Sequence, residues 1–306
     1  PSPPRSARIT MRAKTSWSKC STSGSLAPED VSAFETHGYL VLTDFASPTE
    51  ISAMRARAAE IVDKFDANAN RESIFSTVNQ SGQKRATDEY FLGSADKVCC
   101  FFEEGAFDER GELRVPKHLS INKIGHALHD LDPVFRAWSR SEKVKNLFKT
   151  LGSPRNPQPV QSMYIFKQPS IGGEVVPHQD STFLNTDPPT CVGIWLALED
   201  CTLENGCLHA LSGTPDVARR MVVDHDGTRA VEFIGDAPTH DLTAAEPLDV
   251  PAGTLVVLHG QNVHYSRPNL SPASRHAYSV HYVDATATWR PTNWLRRSPD
   301  FPFVPL

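Results

Sequence analysis

The sequence predicts a mainly β fold with flanking α-helices, on three observations. From about residue 158 to about 290, short apolar segments are broken by turn residues at the spacing of a β-sandwich or a double-stranded barrel. Within that region CVGIWLALED (191–200) is a near-continuous apolar run of the kind buried on both faces of a sheet. Upstream, Ile51, Met54, Ala58, Ile61 and Phe65 recur instead at helical spacing.

Taken in order, PEDVSAFETHG predicts a short helix ended by Gly38, followed by the strand YLVL (39–42). Ser47, Pro48 and Glu50 form a helix start, with a capping Ser, Pro at the first position and Glu three residues after the cap. Residues 66–87 are polar and turn-rich and read as a loop. FLGSADKVCCFFEEGAF (91–107) carries an aromatic cluster, and SINKIGHALHDLDPVF (120–135) runs into helical spacing. A further helix, Ser141–Leu151, ends near Gly152 before the linker PRNPQP. QSMYIFKQP then alternates as a strand, and Gly172-Gly173 turns the chain into VVPHQD. Glu204-Asn205-Gly206 is a turn before CLHAL. PAGTLVVLHG, NVHYS and SRHAYSVHYV supply the last strands.

A chain of 306 residues has ample length for a large core. Its formal net charge of −5 gives no global field that would attract nucleic acid or anionic lipid. No apolar run is long enough to span a bilayer. The six cysteines form no CxxC pair and no disulfide-dense spacing, so reduced thiols in an intracellular, cytoplasmic protein are expected. Residues 1–26 are rich in Ser, Arg and Lys and lack acidic residues, and read as a disordered or targeting extension. A transit peptide there would place the protein in mitochondria instead. The remainder, 27–306, reads as one domain, with helical support over about 27–155 and a β core over about 158–290.

The chemistry centres on His178 and Asp180. Two residues apart on an extended strand, their side chains leave the same face. An imidazole and a carboxylate together supply two of the three ligands of a facial triad that suits non-haem Fe(II). The third should be a distant His on a strand folded back beside the first. Of the downstream candidates, which include His259, His276 and His281, His264 stands best placed, just after a strongly apolar strand pattern and eleven residues before Arg275. Such a triad leaves coordination positions for a bidentate 2-oxo acid and for dioxygen. The far carboxylate of 2-oxoglutarate would then need a partner, and the planar fork of Arg275 suits it. Ser266 shares a strand face with His264 and can bond the same carboxylate. HxD alone arises by chance; the ordered set carries the inference. The rival from another class is a non-catalytic jelly-roll module that binds metal or a small acid. A zinc hydrolase on the same three ligands leaves Arg275 and Ser266 without a role.

Seven segments, from HGYLVLTDF (37–45) through DKVCCFFEEGAFDERG, SINKIGHALHDLDPVF, QSMYIFKQP, GGEVVPHQDSTFL and GIWLALEDCTLENGCL to LHGQNVHYSRPNLSPASRHAY (258–278), resemble the phytanoyl-CoA dioxygenase family. The likeness is greatest to its domain-containing-protein branch. The resemblance implies a double-stranded β-helix core (jelly-roll, cupin-like). It also implies a non-haem Fe(II), 2-oxoglutarate-dependent dioxygenase that hydroxylates a small or lipid-like substrate with release of succinate and CO2. Iron would sit on His178, Asp180 and His264, and 2-oxoglutarate would contact Lys123, Met163, Gln179, Trp195, Ser266 and Arg275. Read without the resemblance, Lys123 is a surface lysine, Met163 and Trp195 are core residues, and His126 and His129 are structural. The chain departs from the family at Ser212-Gly213-Thr214-Pro215, which replaces a strand ending in PGSH and bears on substrate contacts.

Overall fold

Strict alternation along the central strands builds a sheet whose two faces bury different cores. The computed structural model describes residues 17–71, 73–77, 85–227 and 231–306. Its larger sheet has nine strands, in the spatial order Ser18–Lys19, Tyr39–Thr43, Leu255–His259, Val192–Ala197, Ala277–Asp284, Pro157–Ile165, Ile121–His126, Val98–Glu103 and Ile74–Phe75. The two outermost pairings are parallel and the rest antiparallel. On one face Leu40, Leu42, Ile194, Leu196, Val257, Tyr278 and Val280 pack with helical residues such as Met54, Ala58, Val62, Leu147 and Phe148. On the other face Val41, Trp195, Ala197, Val256 and Ala277 meet Leu208, Ala210 and Leu248. Those three belong to a second sheet of four strands, Glu246–Leu248, Leu208–Ala210, His264–Ser266 and Val175–His178. Two facing sheets with helices covering one outer side make a mainly β, jelly-roll fold.

Local signals act as the sequence predicts at both long helices and at the first one. Helix Pro28–His37 ends where Gly38 takes a left-handed φ of 73°. Helix Pro48–Lys64 begins with a reciprocal cap between Ser47 and Glu50. Helix Glu142–Leu151 starts from Ser141 and stops at Gly152.

Three expectations change. SINKIGHALHDLDPVF opens as the strand Ile121–His126, and only then come the short helices Leu128–Leu131 and Pro133–Ser139. Pairing with strands on both sides overrides the weak helical pattern there. Of the stretch 1–26 expected to be an extension, residues 17–26 belong to the fold, because Ser18–Lys19 pairs with Tyr39–Thr43, and Trp17, Cys20 and Leu26 pack against the cores. Residues 1–16 lie outside the described residues. Within 66–87, Ile74–Phe75 pairs in parallel with Val98–Glu103, and the helix Arg85–Leu92 begins before the loop's expected end. The part of that loop from 78 to 84, with residue 72, is likewise outside them. The N-terminal half is therefore more than helical support, since five of the nine strands come from it. All six cysteines are free thiols, and among the described residues no helix is long and apolar enough to cross a membrane.

Candidate active site

Strand pairing in the smaller sheet sets the first two imidazoles opposite each other. His264 is the direct register partner of His178, and their ring centroids stand 4.3 Å apart. The strand ends at His178, but Gln179 stays extended, so the alternation carries one residue further and delivers Asp180 to the same side. Asp180 Oδ1 lies 3.7 Å from His178 Nε2 and 3.8 Å from His264 Nε2. All three ligand atoms fall within 4.8 Å of one another, the one such cluster able to hold a metal among the described residues.

Each histidine is aimed by its own backbone. His178 Nδ1 donates to the carbonyl of Val176 at 2.9 Å, and His264 Nδ1 to that of Asn262 at 3.2 Å. A carbonyl can only accept, so each Nδ1 carries the hydrogen and leaves Nε2, on the Asp180 side, as the nitrogen that can bind a cation. Burial would raise the Asp180 carboxyl, but the imidazoles of His281, His264 and His178 outweigh it and hold the group below its ordinary range. Burial, with His264 alongside, pushes His178 down to about 4. Asp180 is thus a carboxylate and His178 a neutral imidazole near pH 7, and with the His264 imidazole they make the donor set of a divalent ion such as iron.

The fourth member was not foreseen. His281 Nε2 stands 3.3 Å from the other oxygen of Asp180, Oδ2. On the strand Ala277–Asp284, residues Ala277, Ser279 and His281 alternate with Tyr278, Val280 and Tyr282, so His281 faces the site while the tyrosines face the helices. The neighbouring strand makes room with Gly193, where a Cβ would come within 3.1 Å of Asp180 Oδ2 and 3.3 Å of the His281 ring. Small and polar residues on the inward face of SRHAYSVHYV were the signal.

Arg275, two residues before the strand Ala277–Asp284, is buried, only 1% exposed. Its Nε donates to the Gly206 carbonyl at 3.2 Å, its guanidinium lies 5.2 Å from the Trp195 ring, and its Nη1 has no hydrogen-bond partner among the described residues. A buried guanidinium nitrogen left unpaired is costly, and a carboxylate is the group that would satisfy it in a fork. Ser266 is fully buried and receives a hydrogen bond from Lys167. Met163, Ser279 and Trp195 are successive register partners across three strands of the larger sheet, facing the same interior. Lys123 is buried rather than on the surface. Its Nζ sits 3.2 Å from the centroid of Phe75, with the rings of Phe101 and Phe91 at 5.2 and 5.4 Å and Met163 Sδ at 3.9 Å. Burial lowers its pKa strongly.

One expected contact is not brought in. Alternation turns Gln179 away from His178 and Asp180, and its amide donates to the carbonyls of Pro215 and Gln261, both at 2.8 Å. Asn262 likewise donates to the carbonyls of Leu211 and Gly213. The departing turn Ser212–Pro215 is therefore an anchor for the segments carrying the histidines. His126 and His129 are buried and bonded to Ser94 and Ser162, in keeping with structural roles.

Residues 34–277 match the family model described as phytanoyl-CoA dioxygenase (PhyH). The chain belongs to the phytanoyl-CoA dioxygenase family. Within that family it is 50% identical over 277 residues to "Phytanoyl-CoA dioxygenase 1" of Oryza sativa subsp. japonica, covering 90% of this chain and 95% of that protein. It is 48% identical over 288 residues to "Phytanoyl-CoA dioxygenase domain-containing protein 1" of Bos taurus, covering 92% of this chain and 98% of that protein. Among solved structures, the non-heme alpha ketoglutarate dependent carbocyclase SnoK from nogalamycin biosynthesis aligns with a TM-score of 0.60 at 20% identity, over 93% of this chain and 99% of that one. EctD from S. alaskensis, crystallised with 2-oxoglutarate and 5-hydroxyectoine, also aligns at 0.60, with 16% identity over 92% and 87% of the two chains. The likeness to these two is one of fold.

Proposed function

We propose that this member of the phytanoyl-CoA dioxygenase family is a non-haem Fe(II)- and 2-oxoglutarate-dependent dioxygenase. It hydroxylates a small or lipid-like organic substrate and releases succinate and CO2. The observation that carries the reading is a three-ligand cluster, His178, Asp180 and His264, in a chain that also buries the Arg275 guanidinium with one nitrogen unpaired among the described residues.

Iron held by those three side chains supplies the activation of dioxygen and its coupling to decarboxylation of the 2-oxo acid. The chain's own residues position and shield. Asp180 contributes the single negative charge, kept ionised by the surrounding imidazoles. Arg275 grips the far carboxylate of 2-oxoglutarate, with the Ser266 hydroxyl as a second donor. Trp195 lies against the Arg275 guanidinium and walls off that end from water. On the His178 side, the Phe183 ring stands 6.0 Å from that imidazole, with Phe233 packed edge-on beyond it. This favours a substrate with an apolar face.

The test is succinate formation. The Fe(II)-loaded protein with 2-oxoglutarate and dioxygen should release succinate and CO2 slowly without substrate. A screen of lipids, acyl-CoAs and amino acids should find compounds that accelerate it. Iron-loaded protein that forms no succinate under any of these conditions would refute the reading.

A further inference from the structure

Lys167 follows the strand Pro157–Ile165, takes a positive φ of 42°, and sends its side chain inward until it is 2% exposed. The stem passes Gly206, where a Cβ would come within 2.9 Å of its Cε, and Gly206 holds a left-handed φ of 79°. The carbonyl of that same Gly206 accepts from Arg275 Nε. Two cationic side chains thus converge on one turn. The Lys167 ammonium donates to Ser266 Oγ at 2.9 Å and to the Gly173 carbonyl at 2.6 Å, and the Gly173 N–H in turn donates to Glu103 Oε2 at 3.2 Å.

We propose, resting on the dioxygenase reading above, that Lys167 is a positioning residue of the 2-oxoglutarate site, a second cation that aims the Ser266 hydroxyl at the distal carboxylate gripped by Arg275. A lysine ammonium has three donors and no acceptor, so Ser266 Oγ must accept from it. The hydroxyl hydrogen is then left to point at another acceptor, and a carboxylate oxygen between Ser266 and the unpaired Arg275 Nη1 satisfies both. The charge balance agrees. Burial and the neighbouring Arg275 press Lys167 down to about 7, against the pull of Glu103, Glu174 and Cys207. A dicarboxylate bound beside it adds negative charge and favours the ammonium.

The experiment is anaerobic calorimetric titration of the Fe(II)-loaded full chain with 2-oxoglutarate and, separately, with oxalate. Oxalate can chelate a metal through two oxygens but has no distal carboxylate. Lys167→Met should weaken 2-oxoglutarate roughly 10- to 100-fold, the scale of a lost charge-assisted hydrogen bond, and leave oxalate within about twofold. Titration at pH 8 in buffers of differing ionisation enthalpy should show wild type taking up most of a proton as 2-oxoglutarate binds, and Lys167→Met none. Lys167→Gln keeps donors for Ser266 and Gly173 without the charge. It should show intermediate affinity and no proton uptake, which holds the test open if the methionine variant folds poorly. Unchanged 2-oxoglutarate affinity, or equal losses for 2-oxoglutarate and oxalate in both variants, would overturn the proposal while leaving the dioxygenase reading intact. A wild type that binds iron but neither ligand would overturn both.

Discussion

The two oxygens of Asp180 have different neighbours: Oδ1 faces His178 and His264 at 3.7 and 3.8 Å, and Oδ2 faces His281 at 3.3 Å. The carboxylate therefore spans the two sheets, tied to the larger one by a residue that is not in the ligand set. An outer partner of this kind orients its ligand and tunes its charge. Replacing it should cost about 10- to 100-fold in metal affinity. His281→Phe keeps the ring volume and removes both nitrogens, so Fe(II) titration of that variant checks the role. Gly193→Ala, which intrudes on both groups, should weaken metal binding in the same sense.

Arg275 predicts a separable loss. Arg275→Met removes the fork and should weaken 2-oxoglutarate by about 2–5 kcal/mol, the usual cost of truncating a buried charge pair. Fe(II) affinity should be unaffected, because the guanidinium touches no ligand. Parallel titrations with metal and with 2-oxoglutarate read the two effects independently.

Gln179 predicts the opposite pattern. Its amide holds the carbonyls of Pro215 and Gln261, so Gln179→Leu should cost about 1–3 kcal/mol of stability by stranding them. Denaturant melts should show that loss, while the affinity for 2-oxoglutarate should move by less than about twofold, because the amide is engaged by Pro215 and Gln261.

Acid should destabilise the apoprotein through histidines kept neutral by burial. His178 and His276 are lowered from 6.5 to about 4, and His126 well below 6.5. The folded state binds fewer protons there than the unfolded one, so stability is lost as pH falls from 6.5 toward 4. The Asp180 carboxyl is also lowered in the folded state, so its contribution is present above the ordinary range for Asp and is lost as pH falls below that range. Unfolding in the window between pH 6.5 and 4 should therefore take up protons, measurable by calorimetry in buffers of differing ionisation enthalpy.

Much of this site could be read from residue order. An HxD pair keeps its geometry because a strand repeats every two residues, and His264 and Arg275 belong to it because the intervening chemistry demands a ligand and a fork. The same rule turns the side chain of Gln179, which lies between two ligands, to the other side. His281 was hidden among four nearby histidines that differ only in which face they occupy, and Lys167 among ordinary lysines before a proline. Both depend on packing partners, Gly193 and Gly206, far off in sequence. The strand Ile121–His126 was missed for a related reason: its neighbours in the sheet, Val98–Glu103 and Pro157–Ile165, supply the pairing that local periodicity does not announce.

The most direct test of the central claim is the visible spectrum of the anaerobic protein with Fe(II) and 2-oxoglutarate. The wild type should develop a weak charge-transfer band that requires both components and is absent from Asp180→Ala. A wild type that binds iron tightly yet shows no band on saturation with 2-oxoglutarate, or an Asp180→Ala variant that retains the band, would contradict it.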